Sequence, residues 1–238
     1  VAGALEQARQ AMAADSAGPG VPAVETDWAP AIRAALRDGR FRVVYQPIAS
    51  LSGTPVSLYE GFIRMLTEAG QEILPQEFLP AAQEMAITPE LDRWIVGRCL
   101  EVLAVQDRRD HRPVLFVKLF PETVADYRFP SWLADQLQQF GVPGERFVFQ
   151  ITQRTAASDP PAAKALAEAI QPLGCALALE HYGAEPDSEG LLDHIPVSYI
   201  KLAPRFTRDM DTSEGLRTEL QGITSRARQA QVRTIAPL

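Results

Sequence analysis

The stretch Val114-Leu115-Phe116-Val117 decides the fold class, because it is apolar without interruption. A strand with one solvated face alternates apolar and polar residues, whereas an unbroken apolar run is typical of strands buried on both faces, as in parallel sheets. This strand is predicted over 114–120, and six more runs have strand-like composition: 41–48, 56–66, 146–152, 175–182, 198–203 and 232–236. The chain therefore has seven predicted strands.

Helical segments are predicted between most of these strands, at 27–38, 76–84, 89–105, 131–140, 161–171 and 212–230. In the first of them, Trp28, Ile32 and Leu36 recur every four residues on one face, and Gly39 ends the helix. Strands alternating with helices over this length predict an α/β fold, a TIM-like (β/α) barrel with functional residues at the carboxyl ends of its strands. A closed barrel needs eight strands, so we expect that the last strand is missing from the 238 residues or that the fold is open there.

The first 25 residues differ in composition from the rest of the chain. Residues 1–14 are Ala-rich with helical spacing of apolar side chains, and a segment rich in Gly and Pro follows. We expect residues 1–25 to be a helix and linker that continue from an upstream domain, and residues 26–238 to form the main domain. The alternative is a frayed terminus.

Composition excludes several classes of protein. With 23 Lys and Arg against 30 Asp and Glu, the net charge is −7, which argues against duplex nucleic acid or an anionic membrane as the main partner. No run approaches the roughly 20 apolar residues that span a bilayer, and no signal peptide is recognisable. Cys99 and Cys175 lie among apolar residues without CxxC spacing. These features predict a cytoplasmic protein with buried thiols and no membrane insertion.

Three segments together resemble the EAL domain, the TIM-barrel phosphodiesterase module for cyclic di-GMP. They are VYQPIASL at 44–51, YEGFIRM at 59–65 and VSYIKL at 197–202. The resemblance extends over about 28–238. It implies a barrel of the EAL type and a site for cyclic di-GMP.

Departures from the family pattern lie at the positions that bind metal in the phosphodiesterases. The resemblance implies two divalent cations held by carboxylates and an Asn. Glu60 is kept, but Lys118 replaces the Asn and the next strand carries Gln150 and Gln153 in place of acids. An ammonium about 4 Å from a dication repels it by roughly 8 kcal/mol at an effective dielectric near 20. We therefore expect no metal cofactor and no hydrolysis.

Nucleotide-binding positions are better retained. The resemblance implies that Arg64 binds a phosphate and that Asp92 accepts hydrogen bonds from a guanine edge. Our own expectation is that Lys118 and Lys201 occupy the vacated metal space and neutralise phosphate charge. The full predicted ligand-binding set is Gln46, Pro47, Glu60, Phe62, Arg64, Asp92, Lys118, Lys201, Pro237 and Leu238. Structural alternatives are an ion pair at Arg64, a helix-terminal role for Asp92, and pairing of Glu60 with Lys118 or Lys201.

The function that these features predict is a cyclic di-GMP receptor without catalysis that signals through a protein partner. Within the family, the resemblance is strongest to a regulator of type IV pili, which implies a PilZ-type adaptor as partner and an upstream GGDEF-like domain. Two alternatives remain open, a scaffold that binds no nucleotide and a residual phosphodiesterase that uses unusual metals.

Overall fold

The computed structural model describes residues 27–50, 57–107, 112–185, 190–208 and 213–237. The predicted helix at 1–14, the linker that follows it and Leu238 lie outside the described residues. No helix in the described ranges is long and apolar enough to cross a bilayer.

From residue 27 onward the predicted strands and helices are all present, with ends within two residues of the predicted ones. The strands are β1 (Phe41–Ile48), β2 (Leu58–Leu66), β3 (Glu72–Ile73), β4 (Val114–Lys118), β5 (Phe147–Thr152), β6 (Ala176–Tyr182), β7 (Tyr199–Leu202) and β8 (Arg233–Ile235). The helices are α1 (Trp28–Arg37), α2 (Pro75–Glu84), α3 (Thr88–Asp107), α4 (Pro121–Val124), α5 (Phe129–Phe140), α6 (Gln153–Ser158), α7 (Pro160–Ile170), α8 (Leu191–His194), α9 (Arg205–Arg208) and α10 (Glu214–Gln229). Two 3₁₀ turns, Gly144–Arg146 and Gln171–Leu173, precede β5 and β6. Sequence patterns missed β3, α4, α6, α8 and α9, which are too short to show a period.

One sheet contains all eight strands of the described residues in the order β1-β2-β4-β5-β6-β7-β8, with β3 paired to the carboxyl end of β2. The strands from β2 through β4 to β8 are parallel, as in a TIM barrel. The first strand departs from that pattern, since β1 is antiparallel to β2. Its connection to β2 has nine residues, 49–57, whereas a parallel crossover needs a dozen or more. Among the described residues β1 and β8 are not paired, so the sheet is not closed.

Both faces of the central strands are buried. One face packs under the helices in the main core, where Leu115, Val117 and Phe149 are almost completely shielded from solvent. The opposite face forms a small inner cluster of Phe116, Val148, Ala178 and Tyr199, with the rings of Phe116 and Tyr199 edge to face at 5.0 Å. This arrangement explains the unbroken apolar run in β4. The inner cluster is the floor on which the polar site lies.

Candidate functional site

Polar side chains from five different strands meet above the inner apolar cluster. They are Glu60 on β2, Lys118 on β4, Gln150 on β5, Glu180 on β6 and Lys201 on β7, and we call them the mouth cluster. On each of these strands, the residue two positions earlier is apolar. The polar residue lies on the same inner face as that apolar residue, because side chains of a strand alternate between its two faces. Parallel strands therefore bring their carboxyl-terminal polar residues to one level of the sheet.

Two lysines neutralise the two carboxylates of the mouth cluster. The Lys201 Nζ atom donates to both oxygens of Glu60, at 2.7 Å to Oε1 and 2.6 Å to Oε2. It also lies 3.6 Å from Glu180 Oε1, while Lys118 Nζ lies 2.8 Å from Glu180 Oε2. The pairing of Glu60 with lysine, which was one of the sequence alternatives, is confirmed for Lys201. The four charges sum to zero.

The Gln150 side chain joins the two carboxylates. Its amide Nε2 donates to Glu60 Oε1 at 3.2 Å and to Glu180 Oε1 at 3.1 Å, and the residue is 1% exposed. An amide fits this position because it supplies hydrogen-bond donors to both acids. A carboxylate here would instead place a third negative charge between two others.

Electrostatics hold Glu180 in its ionised form although it is buried. Burial alone raises the pKa of a carboxyl group, because the charged form loses its hydration. In Glu180 the attraction of Lys118 and Lys201 outweighs that effect, and its pKa lies below the ordinary value. The buried carboxylate is therefore an anion with two cationic partners.

This set of residues does not fit a pair of divalent cations. Hard cations take negatively charged or carbonyl oxygens as ligands, whereas Lys118 presents an ammonium and Gln150 presents its amide hydrogens to the acids. Within the described ranges, no group of three His, Cys, Asp or Glu side chains is placed to hold a metal ion.

The β1–β2 hairpin forms one wall of the site. In its register Gln46 pairs with Glu60, Val44 with Phe62, and Arg42 with Arg64. Directly paired residues share a face, so these six side chains all line the face that carries Glu60. We call this surface the hairpin wall. It brings together four members of the predicted set: Gln46, Glu60, Phe62 and Arg64.

Arg64 is largely shielded at the upper end of this wall, with its side chain 17% exposed. Its Nη1 donates to the carbonyl of Ile63 at 3.0 Å, and its Nε lies 3.7 Å from Glu72 Oε2. The ion pair expected as the structural alternative is therefore present. Binding of a ligand phosphate by Arg64 therefore stays a prediction.

Three predicted residues lie away from the hairpin wall. Pro47 pairs with Tyr59, and the alternation of the strand places it on the opposite face from Gln46. Pro237 is half-buried two residues beyond β8, where Ile235 is level with Lys201. Asp92 is on α3, and Leu238 is outside the described residues.

Asp92 is completely buried and braces the segment that follows β4. Its Oδ2 atom accepts a hydrogen bond from the Phe120 backbone N–H at 2.9 Å. Nearby, the Thr88 hydroxyl donates to Glu122 at 2.9 Å, so the start of α3 holds α4 at two points. Burial raises the pKa of Asp92 to about 7 despite hydrogen bonds that lower it. In this conformation a guanine has no access to the carboxylate.

Comparisons with known proteins cover most of the chain. The sequence model described as the EAL domain matches residues 29–237. The chain belongs to the EAL domain family. The FimX EAL domain from Pseudomonas aeruginosa bound to c-di-GMP is 30% identical, with a TM-score of 0.83 over 90% of this chain and 86% of that one. The Xanthomonas citri FimX EAL domain in complex with c-diGMP is 31% identical, with a TM-score of 0.82 over 88% of this chain and 81% of that one.

Full-length relatives extend well beyond this EAL domain. The cyclic di-GMP phosphodiesterase PdeF of Escherichia coli (strain K12) is 25% identical over 179 residues, which are 75% of this chain and 24% of the relative. The chain spans about a quarter of the length of such full-length relatives.

Sequence reasoning did not select two residues of the hairpin wall, Val44 and Arg42, of which only Arg42 is charged. The signal was available, because Arg42 is four residues before Gln46 and a strand repeats every two residues. Its partner across the hairpin, Arg64, could not be known before the register was. Gln150 was recognised only as a lost metal position, whereas its contacts with Glu60 and Glu180 make it part of the mouth cluster.

Proposed function

We propose that this EAL domain binds cyclic di-GMP and does not hydrolyse it. The observation that carries the proposal is the charge pairing of the mouth cluster, in which Lys118 and Lys201 neutralise Glu180 and Glu60. A phosphodiesterase of this family would need those carboxylates for metal ions. Here ammonium groups satisfy them.

Binding of the nucleotide is supported by the hairpin wall. The Arg64 guanidinium is a planar donor suited to a phosphate, and Phe62 offers an aromatic surface beside it on which a base can stack. The two lysines of the mouth cluster add cationic groups within reach of the same wall. The FimX EAL domains, similar to this chain over most of its length, are described as c-di-GMP complexes.

Loss of hydrolysis follows from the way that metals activate water. A bound divalent cation makes a hydroxide available near neutral pH by lowering the pKa of its water. The Lys118 ammonium, 2.8 Å from Glu180, repels such a cation and competes for the same carboxylate. The main competing function is residual phosphodiesterase activity, which similarity to PdeF favours.

The wider role belongs to the same proposal. We propose a cytoplasmic protein in which the loaded domain contacts a PilZ-type adaptor in type IV pilus regulation, with a GGDEF-like domain upstream. The support is similarity to the FimX EAL domains. Ligand-dependent capture of a purified PilZ adaptor tests it, and capture unaffected by cyclic di-GMP contradicts it.

Equilibrium dialysis with labelled cyclic di-GMP tests the binding. We expect micromolar or tighter retention by the wild-type chain, and retention at least about tenfold weaker in Arg64→Ala, since a hydrogen bond to a charged group contributes about 1.5–3 kcal/mol. Arg98→Ala on α3 is the control, because it removes an equal charge from an exposed ion pair with Glu101.

The ligand recovered after incubation with Mg²⁺ or Mn²⁺ distinguishes the alternatives. Intact cyclic di-GMP supports the receptor, and the linear dinucleotide would establish the phosphodiesterase. If the folded wild-type protein retains no nucleotide, the remaining alternative is a scaffold that binds no nucleotide.

A further inference from the structure

Two arginines oppose each other at the upper end of the hairpin wall. Arg42 on β1 and Arg64 on β2 are directly paired in the antiparallel register. Like charges at directly opposite positions destabilise a sheet. A single carboxylate, Glu72 on β3, lies against both: Arg42 Nη2 contacts Glu72 Oε1, and Arg64 Nε is 3.7 Å from Glu72 Oε2. The three side chains carry a net charge of +1.

This arginine pair faces the same space as the predicted nucleotide site. Arg42, Val44 and Gln46 alternate along one face of β1, while Glu60, Phe62 and Arg64 do so along the paired face of β2. The pair therefore forms the top of a column that has Phe62 beneath it and the mouth cluster below. A ligand that reaches Arg64 from this face also meets Arg42.

Glu72 offers the two arginines the same kind of anionic group that a phosphodiester would offer. A carboxylate and a phosphodiester both present two oxygens with shared negative charge, and the guanidinium fork binds either in the same bidentate way. The Arg42 side chain is 49% exposed and that of Glu72 39% exposed. Ion pairs as exposed as this one contribute little to stability, so Glu72 can be displaced at small cost.

We infer that Arg42 is a second phosphate-binding residue for the proposed cyclic dinucleotide, and that Glu72 competes with the ligand phosphate for both arginines. The inference rests on the proposed function and adds two residues to its site. Arg40, the neighbouring arginine, has a different role, because its Nη1 donates to the Leu66 carbonyl at 2.9 Å and holds the end of β2.

Calorimetric titration of cyclic di-GMP into four variants and the wild type tests the inference. We expect Arg42→Ala to weaken binding about tenfold and Glu72→Gln to tighten it about threefold. The matched controls, Arg98→Ala and Glu101→Gln, remove the same charges from an ion pair of similar exposure on α3 and should bind as the wild type does.

A double variant separates direct contact from an indirect effect through Glu72. If Arg42 touches the phosphate, Arg42→Ala/Glu72→Gln binds about tenfold more weakly than Glu72→Gln alone. If Arg42 acts only by occupying Glu72, the two bind equally, and the inference is overturned. Should Arg42→Ala fail to fold, as judged by circular dichroism, Arg42→Gln replaces it in both comparisons.

Other outcomes are equally decisive. If Arg42→Ala binds cyclic di-GMP as tightly as the wild type, or if Glu72→Gln binds it more weakly, the inference is overturned and the proposed function still stands. Absence of binding by folded wild-type protein overturns the proposed function and, with it, this assignment.

Discussion

Replacing Lys201 by methionine removes the cation that holds both carboxylates of the mouth cluster. Unit charges 2.7 Å apart attract by about 6 kcal/mol at an effective dielectric of about 20, and charges 3.6 Å apart by about 5 kcal/mol. Desolvation of the ammonium offsets much of this sum. Breaking a buried pair by removing one partner costs about 3–5 kcal/mol, so we expect Lys201→Met to lower the free energy of unfolding by about 4 kcal/mol at pH 7.5.

The loss should depend on pH in a defined direction. In the wild type the lowered pKa of Glu180 contributes stability above its ordinary value of 4.5, and this stability is lost as pH falls through the folded value. Without Lys201, Glu180 keeps Lys118 as its cationic partner but loses a second one, so we expect its pKa to rise. A protonated Glu180 carries no charge that needs a partner. The stability lost in Lys201→Met should therefore shrink to less than half of its pH 7.5 value near pH 4.5.

Urea denaturation followed by circular dichroism at pH 7.5, 6.0 and 4.5 measures these differences. Lys201→Met/Glu60→Gln should recover at least half of the deficit, because it removes both members of the closest pair. Lys164→Met is the control: its Nζ is 3.7 Å from Glu168 on an exposed helix face, and it should cost less than about 0.5 kcal/mol. A deficit under about 1 kcal/mol at pH 7.5, or one that does not change with pH, would refute the electrostatic reasoning.

Three further predictions concern other parts of the site and its support. Because the pKa of Asp92 is raised to about 7, the wild type should lose about 2 kcal/mol of stability relative to Asp92→Asn between pH 5 and 7 in urea titrations; a constant difference would contradict this. Gly183 has φ +83°, and a Cβ there would lie 2.6 Å from Phe206, so Gly183→Ala should cost about 3 kcal/mol by the same assay, and a neutral effect would argue against the packing described. In Lys118→Asn/Gln150→Glu, Mg²⁺ at ten times its dissociation constant from this variant should raise the unfolding temperature by about 3 °C. The unfolding temperature of the wild type should not change with Mg²⁺.

The architecture was predictable because its signals are local. Unbroken apolar runs mark strands buried on both faces, and the run containing Phe116 was predicted with an end only two residues from the observed one. By contrast, β3 has two residues and no period to recognise, although its Glu72 matters for the arginine pair. The antiparallel direction of β1 depends on the length of one connection, which the strand predictions alone did not use.

The site was predictable in its residues and less so in its contacts. Glu60 and Lys201 are 141 residues apart, and only the sheet brings them within 2.7 Å of each other. The family pattern selected both, but it could not say which lysine pairs with which acid. It also gave no sign that Asp92 is completely buried and accepts a hydrogen bond from the Phe120 backbone. Local spacing reports which residues share a face, whereas register and packing decide which of them meet.

Isothermal titration calorimetry with cyclic di-GMP, in EDTA and again in excess Mg²⁺, tests the central claim most directly. The claim is that lysines, and not metal ions, balance the charge in this site. We predict the same dissociation constant within about twofold in both buffers, with intact ligand recovered afterwards. Binding that requires Mg²⁺ and is abolished by EDTA would contradict the account.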